Sequence, residues 1–200
     1  MIEYYNEDCM VGMKRYKDKH FSLAICDPPY RDENQPTKDM RANNMKKDFG
    51  KKPTVEYFAE LSRVSKNQII WGANNFQLPP FKGFAVWRKL SIGETFTMSM
   101  CEIAALSEGL ATTSKYFEMV PQDPDRIHPT QKPVKLYKWL LHNYAKQGDL
   151  ILDTHVGSAS SLIACYDMGF DAVGFELDKD YYEASKKRLN EFMSQGRLFE

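Results

Sequence analysis

The stretch CDPPY, residues 26 to 30, follows directly on the apolar run FSLAI, so polar chemistry begins where a buried strand ends. Because proline lacks a backbone N–H, the carbonyls around Pro28 and Pro29 keep their acceptor capacity without competition from a local main-chain donor. Asp27 adds a carboxylate and Tyr30 adds a flat ring beside those carbonyls. The combination predicts a site for a planar group that carries an amino substituent.

A second candidate site lies in DLILDTHVGSAS, residues 149 to 160, which has the pattern of a strand, a glycine turn and a helix start. Gly157 lets a ligand approach backbone N–H groups at the helix N-terminus, and Glu176 stands where nucleotide folds place an acid for ribose hydroxyls. Positions 157, 159 and 162 are Gly, Ala and Leu instead of three glycines, and no GxxxxGK phosphate loop occurs. A nucleoside without a pyrophosphate therefore fits better than a dinucleotide, and ATP hydrolysis is disfavoured.

The elements that must position these residues alternate between strands and helices. Four apolar runs end in an acid, as buried parallel strands facing a ligand crevice do, and these acids are Asp8, Asp27, Asp153 and Glu176. Apolar periodicity predicts helices after Thr54 and over 134–144, about 158–169 and about 178–192, and further strands at 68–72, 83–87 and 102–106. The pattern predicts an α/β fold with a mainly parallel sheet and the four acids along one edge.

Composition narrows the class of protein. The 27 basic and 27 acidic residues balance, and the four cysteines form no CxxC pair, which disfavours structural zinc and disulfides and fits a reducing cytoplasm. No apolar stretch approaches the roughly 20 residues of a membrane span. Basic residues are unevenly placed: segment 31–52 has seven against four acids, and segment 126–146 has no acid. We expect 31–52 to be a mobile loop, either a solvated excursion or a substrate-engaging element.

Together these residues resemble the amino-methylating DNA methyltransferases that use S-adenosylmethionine, in their β-type motif order. In that family a DPPY motif comes first, then a target-recognition segment, an HPxxKP motif, and last a motif similar to DPFxGSGT. Here the three motifs stand at 27–30, at 128–133 (HPTQKP) and at 153–160 (DTHVGSAS), while YNEDCM looks like the family's strand whose acid contacts the cofactor adenine. The resemblance spans nearly the whole chain.

The resemblance implies a Rossmann-like methyltransferase fold with a mainly parallel, seven-stranded twisted sheet, helices on both faces and a circularly permuted motif order. It implies one domain over residues 1–200, with the loop at about 31–52 and a small target-recognition segment at about 108–127. The implied catalytic residues are Asp27, Pro28, Pro29 and Tyr30. The implied cofactor-binding residues are Asp8, Cys9, His128, Thr130, Lys132, Asp153, His155, Gly157, Ser158 and Glu176. For the DNA substrate we expect contacts from Lys38, Arg41, Lys46, Lys47, Asn74 and Arg126.

The implied reaction is methyl transfer to the exocyclic amino group of a base flipped out of the duplex. Asp27 and the Pro28 carbonyl would accept the two amino hydrogens, and Tyr30 would stack on the base, whereas we assign Cys26 to packing. Adenine is favoured because cytosine-specific members more often have serine where this chain has Asp27. An amino-cytosine enzyme, an RNA or protein glutamine methyltransferase, and an inactive nucleic-acid-binding relative remain alternatives. The resemblance is compatible with a homodimer and a bacterial or phage origin, and implies no metal.

Three residues depart from the family pattern. Thr154 and His155 replace Pro-Phe, and Ala159 replaces the second glycine. His155 either stacks near the cofactor or is a non-catalytic histidine with its hydrogen bonds satisfied. Alanine at 159 is harmless if its φ is negative, but costs about 1 kcal/mol if its φ is positive.

Overall fold

The computed structural model describes residues 1–30, 51–110, 112–121, 126–128 and 130–195. These contain eight strands: β1 (Ile2–Asn6), β2 (Phe21–Cys26), β3 (Ser65–Trp71), β4 (Phe81–Lys89), β5 (Cys101–Ser107), β6 (Lys115–Met119), β7 (Leu150–Asp153) and β8 (Asp171–Glu176). The helices are α1 (Cys9–Met13), α2 (Val55–Val64), α3 (Val134–Tyr144), α4 (Ser160–Asp167) and α5 (Lys179–Ser194).

The strands form one sheet in the order β1-β8-β7-β2-β3-β5-β4-β6. Every neighbouring pair is parallel except the two that β5 makes, with β3 and β4, so β5 alone runs in the opposite direction. The predicted α/β class and mainly parallel sheet are confirmed. The predicted strand number is one too low, because Lys115–Met119 pairs with β4 as an edge strand.

Alternate residues of the central strands face two separate cores. On one face, Leu23, Ile25 and Ile151 pack with the buried sides of α3 and α4. On the other face, Ala24 and Leu152 pack with α1 and α2. This alternation is the burial pattern of a sheet covered by helices on both sides. Trp71 and Trp87 are buried in the first core.

The helices begin where local chemistry supports them. Asp178 caps α5 by accepting hydrogen bonds from the N–H groups of Asp180 and Tyr181, at 2.9 and 3.0 Å. Helix α3 starts directly after Pro133 and buries the stripe Leu136, Tyr137, Leu140 and Leu141. Helix α4 is shorter than predicted at both ends, because residue 159 has a left-handed backbone and Gly169 (φ 76°) follows its last turn.

The topology brings the four predicted acids to one edge. Strands β1, β8, β7 and β2 are consecutive and parallel, with Asn6 opposite Glu176 and Asp153 opposite Gly174. Strand β2 is in register with β7 at Ala24 and Leu152. Asp8, Glu176, Asp153 and Asp27 therefore follow one another along the carboxyl edge of the sheet, where α/β folds bind ligands.

Candidate active site

The first part of the site is the corner where β2 ends. Asp27 leaves the sheet directly after Cys26, and its side chain is 15% exposed. The Tyr30 hydroxyl donates a hydrogen bond to Asp27 Oδ1. The Lys132 ammonium donates to Asp27 Oδ2 at 2.5 Å. The structure thus joins two residues of the DPPY motif to the lysine of the HPTQKP motif.

Tyr30 rests on a glycine that follows the neighbouring strand. Gly72 comes directly after β3 and has φ 71°, and a Cβ built on it would lie 2.2 Å from Tyr30 Cε1. Only glycine leaves room for the ring there and adopts this backbone without strain. The Asn75 side chain donates to the Gly72 carbonyl at 3.1 Å, so one of the two asparagines stabilises the turn. Asn74, predicted to contact DNA, is exposed in the same turn.

Lys132 contacts the Asp27 corner, although the sequence interpretation grouped it with the cofactor residues. Its side chain is only 3% exposed. The ammonium lies 2.5 Å from Asp27 Oδ2, 3.0 Å from Glu102 Oε2 and 3.2 Å from the Tyr30 hydroxyl oxygen. An ammonium has three donors, so these three neighbours match its full capacity.

Glu102 is a site residue that sequence reasoning missed. The four acids predicted from the sequence end apolar runs, whereas Glu102 is the second residue of β5. Because β5 runs against the other strands, its beginning lies at the edge where the parallel strands end. Glu102 also pairs with Lys89, with Oε1 2.5 Å from the lysine Nζ. A charged residue opening an apolar strand was the signal available in the sequence.

The corner holds two acids and two bases in close contact. Burial raises the pKa of Asp27, while the Lys132 ammonium opposes that rise. Burial also acts to raise the pKa of Glu102, but Lys132 and Lys89 outweigh it and hold that pKa at about 2. Burial acts to lower the pKa of Lys132, and the two carboxylates reverse this and keep it above its ordinary value. Lys132 and Glu102 are therefore ionised at neutral pH.

The second part of the site is the glycine turn after β7. Gly157 has φ 54° and its N–H donates to Glu176 Oε2 at 2.9 Å. The second oxygen of this carboxylate accepts from the Asp178 N–H, also at 2.9 Å. The 19-residue spacing between Gly157 and Glu176 thus corresponds to a direct contact between the turn and the end of β8.

Asp153 supports the turn from inside the protein. It is buried and accepts hydrogen bonds from the Ser161 hydroxyl and, at 2.9 Å, from the His155 N–H. Burial raises the pKa of Asp153 to about 7. These contacts fix the chain between β7 and α4, which is the segment that turns toward Glu176.

The two residues that replace Pro-Phe interact with each other. The Thr154 hydroxyl lies 2.9 Å from His155 Nδ1 and 2.6 Å from the Tyr57 hydroxyl. The His155 ring also contacts the Tyr57 ring edge, with centroids 5.4 Å apart. Burial lowers the pKa of His155 to about 4, so the ring is neutral at physiological pH. One ring nitrogen of His155, Nδ1, thus has a hydrogen-bond partner in the Thr154 hydroxyl.

Ala159 occupies the conformation that glycine favours. Its φ is 62°, it is fully buried, and it precedes the first residue of α4. Of the two cases considered from the sequence, the structure shows the positive φ. Alanine therefore costs about 1 kcal/mol here relative to a strain-free backbone.

His128, Thr130 and Ser158 lie around the same turn. The His128 ring packs on Tyr181 with centroids 4.4 Å apart, and a Cβ built on Gly157 would be 3.7 Å from it. Thr130 Oγ1 is 3.1 Å from His128 Nδ1. Ser158 is buried and its carbonyl accepts from Arg188 at 2.7 Å. Unlike Lys132, these members of the predicted cofactor set stay with the glycine turn.

The remaining predicted residues have separate locations. Asp8 is exposed and caps α1 by accepting from the Met10 N–H at 2.7 Å, and burial raises the pKa of the Cys9 thiol to about 12. Arg126 donates to the His128 carbonyl at 3.2 Å. Lys38, Arg41, Lys46 and Lys47 lie outside the described residues, as does most of the loop predicted at 31–52.

Two structural tests bear on other predictions. Among the described residues, no group of three or more His, Cys, Asp or Glu side chains is arranged to hold a metal ion. None of the helices in the described part of the chain combines the length and apolar character needed to cross a membrane. Cys26, assigned to packing, is buried, and burial raises its pKa to about 12.

Known proteins share this chain's sequence pattern and fold. A family model for N6- and N4-methylating enzymes, described as DNA methylase, matches residues 70–187, which is more than half of the chain. YubD of Escherichia coli strain K12, which is named as a methylase, is 24% identical over 208 residues, covering 94% of this chain and 90% of YubD.

Solved structures agree with the observed fold. The M1.HpyAVI–SAM complex superposes with a TM-score of 0.64 at 19% identity, covering 94% of this chain and all of the other. The PvuII DNA methyltransferase, described as cytosine-N4-specific, gives a TM-score of 0.64 at 11% identity, with 97% and 92% of the two chains covered. At these identities the structures show the fold. With the family match, the chain belongs to the N6/N4 DNA methylase family, whose members are S-adenosylmethionine-dependent DNA methyltransferases.

Proposed function

We propose that this protein transfers a methyl group from S-adenosylmethionine to the exocyclic amino nitrogen of adenine in DNA. One observation carries the proposal. At the end of β2, the Tyr30 hydroxyl is hydrogen bonded to the Asp27 carboxylate, so that an acceptor lies beside an aromatic ring. The adjacent strand β7 leads into the glycine turn. Both partners of a methyl transfer would therefore meet at one edge of the sheet.

S-adenosylmethionine is the cofactor, and the glycine turn has features that fit it. The missing Cβ of Gly157 leaves its backbone open toward the His128 ring, and the Glu176 carboxylate lies beside it. A carboxylate at the end of this strand suits ribose hydroxyls. Glu176, Gly157 and His128 would hold the nucleoside, with Asp8 at the end of the adjacent strand β1. When bound, the cofactor supplies an electrophilic methyl group on a sulfonium.

The chemistry required of the protein is to make the amino nitrogen nucleophilic. The nitrogen lone pair of adenine is delocalised into the ring, so a planar amino group is a poor nucleophile. By accepting the two amino hydrogens, the Asp27 carboxylate and the Pro28 carbonyl would favour a pyramidal nitrogen. The carboxylate would also stabilise the positive charge that grows on nitrogen in the transition state.

The base must leave the duplex to reach this corner, at a cost of a few kcal/mol. Tyr30 would stack on the extruded base, an interaction typically worth about 1 to 3 kcal/mol. The Gly72 contact keeps the ring in place beside Asp27. Basic residues of segment 31–52 and Arg126 are proposed to bind phosphates and offset part of the extrusion cost.

Cytosine N4 is the second candidate, favoured by the likeness in fold to the PvuII enzyme. Asp27 supports adenine, because the resemblance associates serine at this position with cytosine. A homodimer and action in the cytoplasm stay predictions, and methylation of RNA or of a protein glutamine stays an alternative.

The test is transfer of a radiolabelled methyl group from S-adenosylmethionine to duplex DNA, followed by chromatography of the nucleosides. We expect label in N6-methyl-2′-deoxyadenosine with adenine-containing duplexes and none with RNA or protein acceptors. Asp27→Ala should abolish transfer while calorimetry still detects binding of S-adenosylhomocysteine. Near wild-type transfer by Asp27→Ala would exclude the proposed role of this carboxylate.

A further inference from the structure

We propose that Glu102 is a positioning residue for methyl transfer, which retains the Lys132 ammonium when Asp27 accepts the hydrogens of the substrate amino group. The inference rests on the function proposed above and adds to it a residue outside the motifs of the family resemblance. Glu102 acts through Lys132 and does not itself contact the base in this account.

Both oxygens of Asp27 have a partner within the protein. Oδ1 accepts from the Tyr30 hydroxyl, and Oδ2 accepts from the Lys132 ammonium at 2.5 Å. An amino group that arrives at this carboxylate competes with these donors for the acceptor positions. Binding of the base therefore favours a shift of the ammonium away from Asp27.

Lys132 cannot become unpaired at low cost. Its side chain is 3% exposed. A buried cation left without a carboxylate partner strongly destabilises the protein. Glu102 Oε2 already lies 3.0 Å from the ammonium, slightly farther than Asp27 Oδ2. A small movement of the lysine end from Asp27 toward Glu102 would keep the cation paired throughout.

Glu102 also sets the net charge beside the reacting nitrogen. Lys89 and Lys132 contribute two positive charges, and Asp27 and Glu102 contribute two negative charges. Without Glu102 this cluster would be positive next to a nitrogen that becomes cationic in the transition state. With Glu102 it is neutral, and Asp27 can stabilise the developing charge.

The experiment compares Glu102→Gln with Glu60→Gln, a matched control in which an acid of similar exposure that pairs with Arg63 at 2.7 Å on α2 is neutralised. Methyl transfer to duplex DNA is followed against pH, with KM for DNA, S-adenosylhomocysteine affinity and thermal melting measured on each variant. We expect Glu102→Gln to lower kcat about 10- to 100-fold, with KM and analogue affinity within a factor of two of wild type. Glu60→Gln should match wild type.

The pH profile separates positioning from a structural role. The charged and titratable groups around Asp27 are Tyr30, Lys132, Glu102, Tyr137 and Asp153, with Lys89 behind Glu102. Removal of the negative neighbour should move the acid limb of kcat/KM to lower pH by about one unit. The double variant Glu102→Gln, Lys89→Met restores a neutral cluster and should recover at least part of kcat.

Two outcomes would overturn the inference. One is a Glu102→Gln profile that coincides with that of Glu60→Gln. The other is a lost kcat with an unmoved acid limb and no recovery in the double variant. Asp27→Ala is measured in parallel, because full activity of that variant refutes the proposed function itself. Loss of activity in Asp27→Ala with a wild-type Glu102→Gln refutes only the role of Glu102.

Discussion

Substitution of Gly72 by alanine should displace Tyr30 and lower methyl transfer sharply without removing any catalytic group. The new Cβ would lie 2.2, 2.5 and 2.6 Å from three atoms of the Tyr30 ring. Because carbon atoms need about 3.4 Å or more, the ring has to retreat by more than about 1 Å. That movement pulls the Tyr30 hydroxyl away from Asp27, with which it is hydrogen bonded.

The magnitude follows from two contributions. An alanine with a positive φ such as the 71° of Gly72 costs about 1 to 2 kcal/mol. Loss of a hydrogen bond to a charged group adds roughly 1.5 to 3 kcal/mol. For a chain of this size each kcal/mol corresponds to about 2 to 4 °C in Tm, so we expect a decrease of about 10 °C. A misplacement of about 1 Å at a reacting group lowers turnover on the order of 100-fold.

Two other glycines serve as matched controls. Gly148 also has a positive φ, 88°, but nothing lies within 4 Å of a Cβ built there, so Gly148→Ala isolates backbone strain. Gly93 has open space at its Cβ position, and its φ is not in the positive range, so Gly93→Ala should change neither quantity. Melting temperature and methyl transfer to duplex DNA are measured on all three variants.

Of these three glycines, Gly72 is the one at which an added Cβ would meet Tyr30, so the variants should differ in turnover. We expect Gly148→Ala to lower Tm by a few degrees with turnover near wild type, while Gly72→Ala lowers both. If Gly72→Ala retains the turnover of Gly148→Ala, the ring is not needed in its observed position. The account of Tyr30 as a base-stacking residue next to Asp27 would then be refuted.

Two further predictions concern the glycine turn. Glu176→Gln should weaken S-adenosylhomocysteine binding about 10- to 100-fold in calorimetry, since charge-assisted hydrogen bonds to two hydroxyls are worth about 1.5 to 3 kcal/mol. Glu191→Gln, which changes an exposed side chain of α5, should bind the analogue normally. Equal affinities of the two variants would contradict the assignment of Glu176 to the ribose. His155→Asn should reduce the loss of stability on acidification. The folded pKa of His155 is about 4, below its ordinary 6.5, so the unfolded state takes up the extra proton and stability falls as pH drops from 6.5 toward 4. At pH 5 the loss of folding stability amounts to up to about 2 kcal/mol, which urea unfolding measures. An unchanged dependence of stability on pH in His155→Asn would contradict this role of His155.

The sequence was enough to predict the positions of site residues that follow when neighbouring strands all run in the same direction. Asp8, Asp27, Asp153 and Glu176 each end an apolar run, and parallel strands bring such ends together without further information. Glu102 could not be found this way, because β5 is the one strand of the eight in the described residues that runs in the opposite direction. The sequence reveals an acid before IAAL, but which edge it occupies depends on long-range pairing.

Three other differences between the sequence prediction and the structure concern Ala159, Lys132 and strand β6. The residues around Ala159 in the sequence are compatible with either sign of φ. In the structure its φ is positive, in a turn that contacts Glu176. Lys132 belongs to a motif that follows the cofactor residues His128 and Thr130, yet its long side chain reaches Asp27. Strand β6 has only five residues, and its side chains are exposed or half-buried. Its sequence therefore lacks the apolar run of a buried strand and falls within the predicted recognition segment.

The central claim is tested most directly by mass spectrometry of nucleosides from duplex DNA treated with the purified protein and S-adenosylmethionine. We predict N6-methyl-2′-deoxyadenosine with the wild-type protein, and none above background with Asp27→Asn, in which the carboxylate is replaced by an amide of the same shape. N4-methyl-2′-deoxycytidine as the product would contradict the choice of adenine. Undiminished methylation by Asp27→Asn would contradict the claim that this carboxylate activates the amino nitrogen.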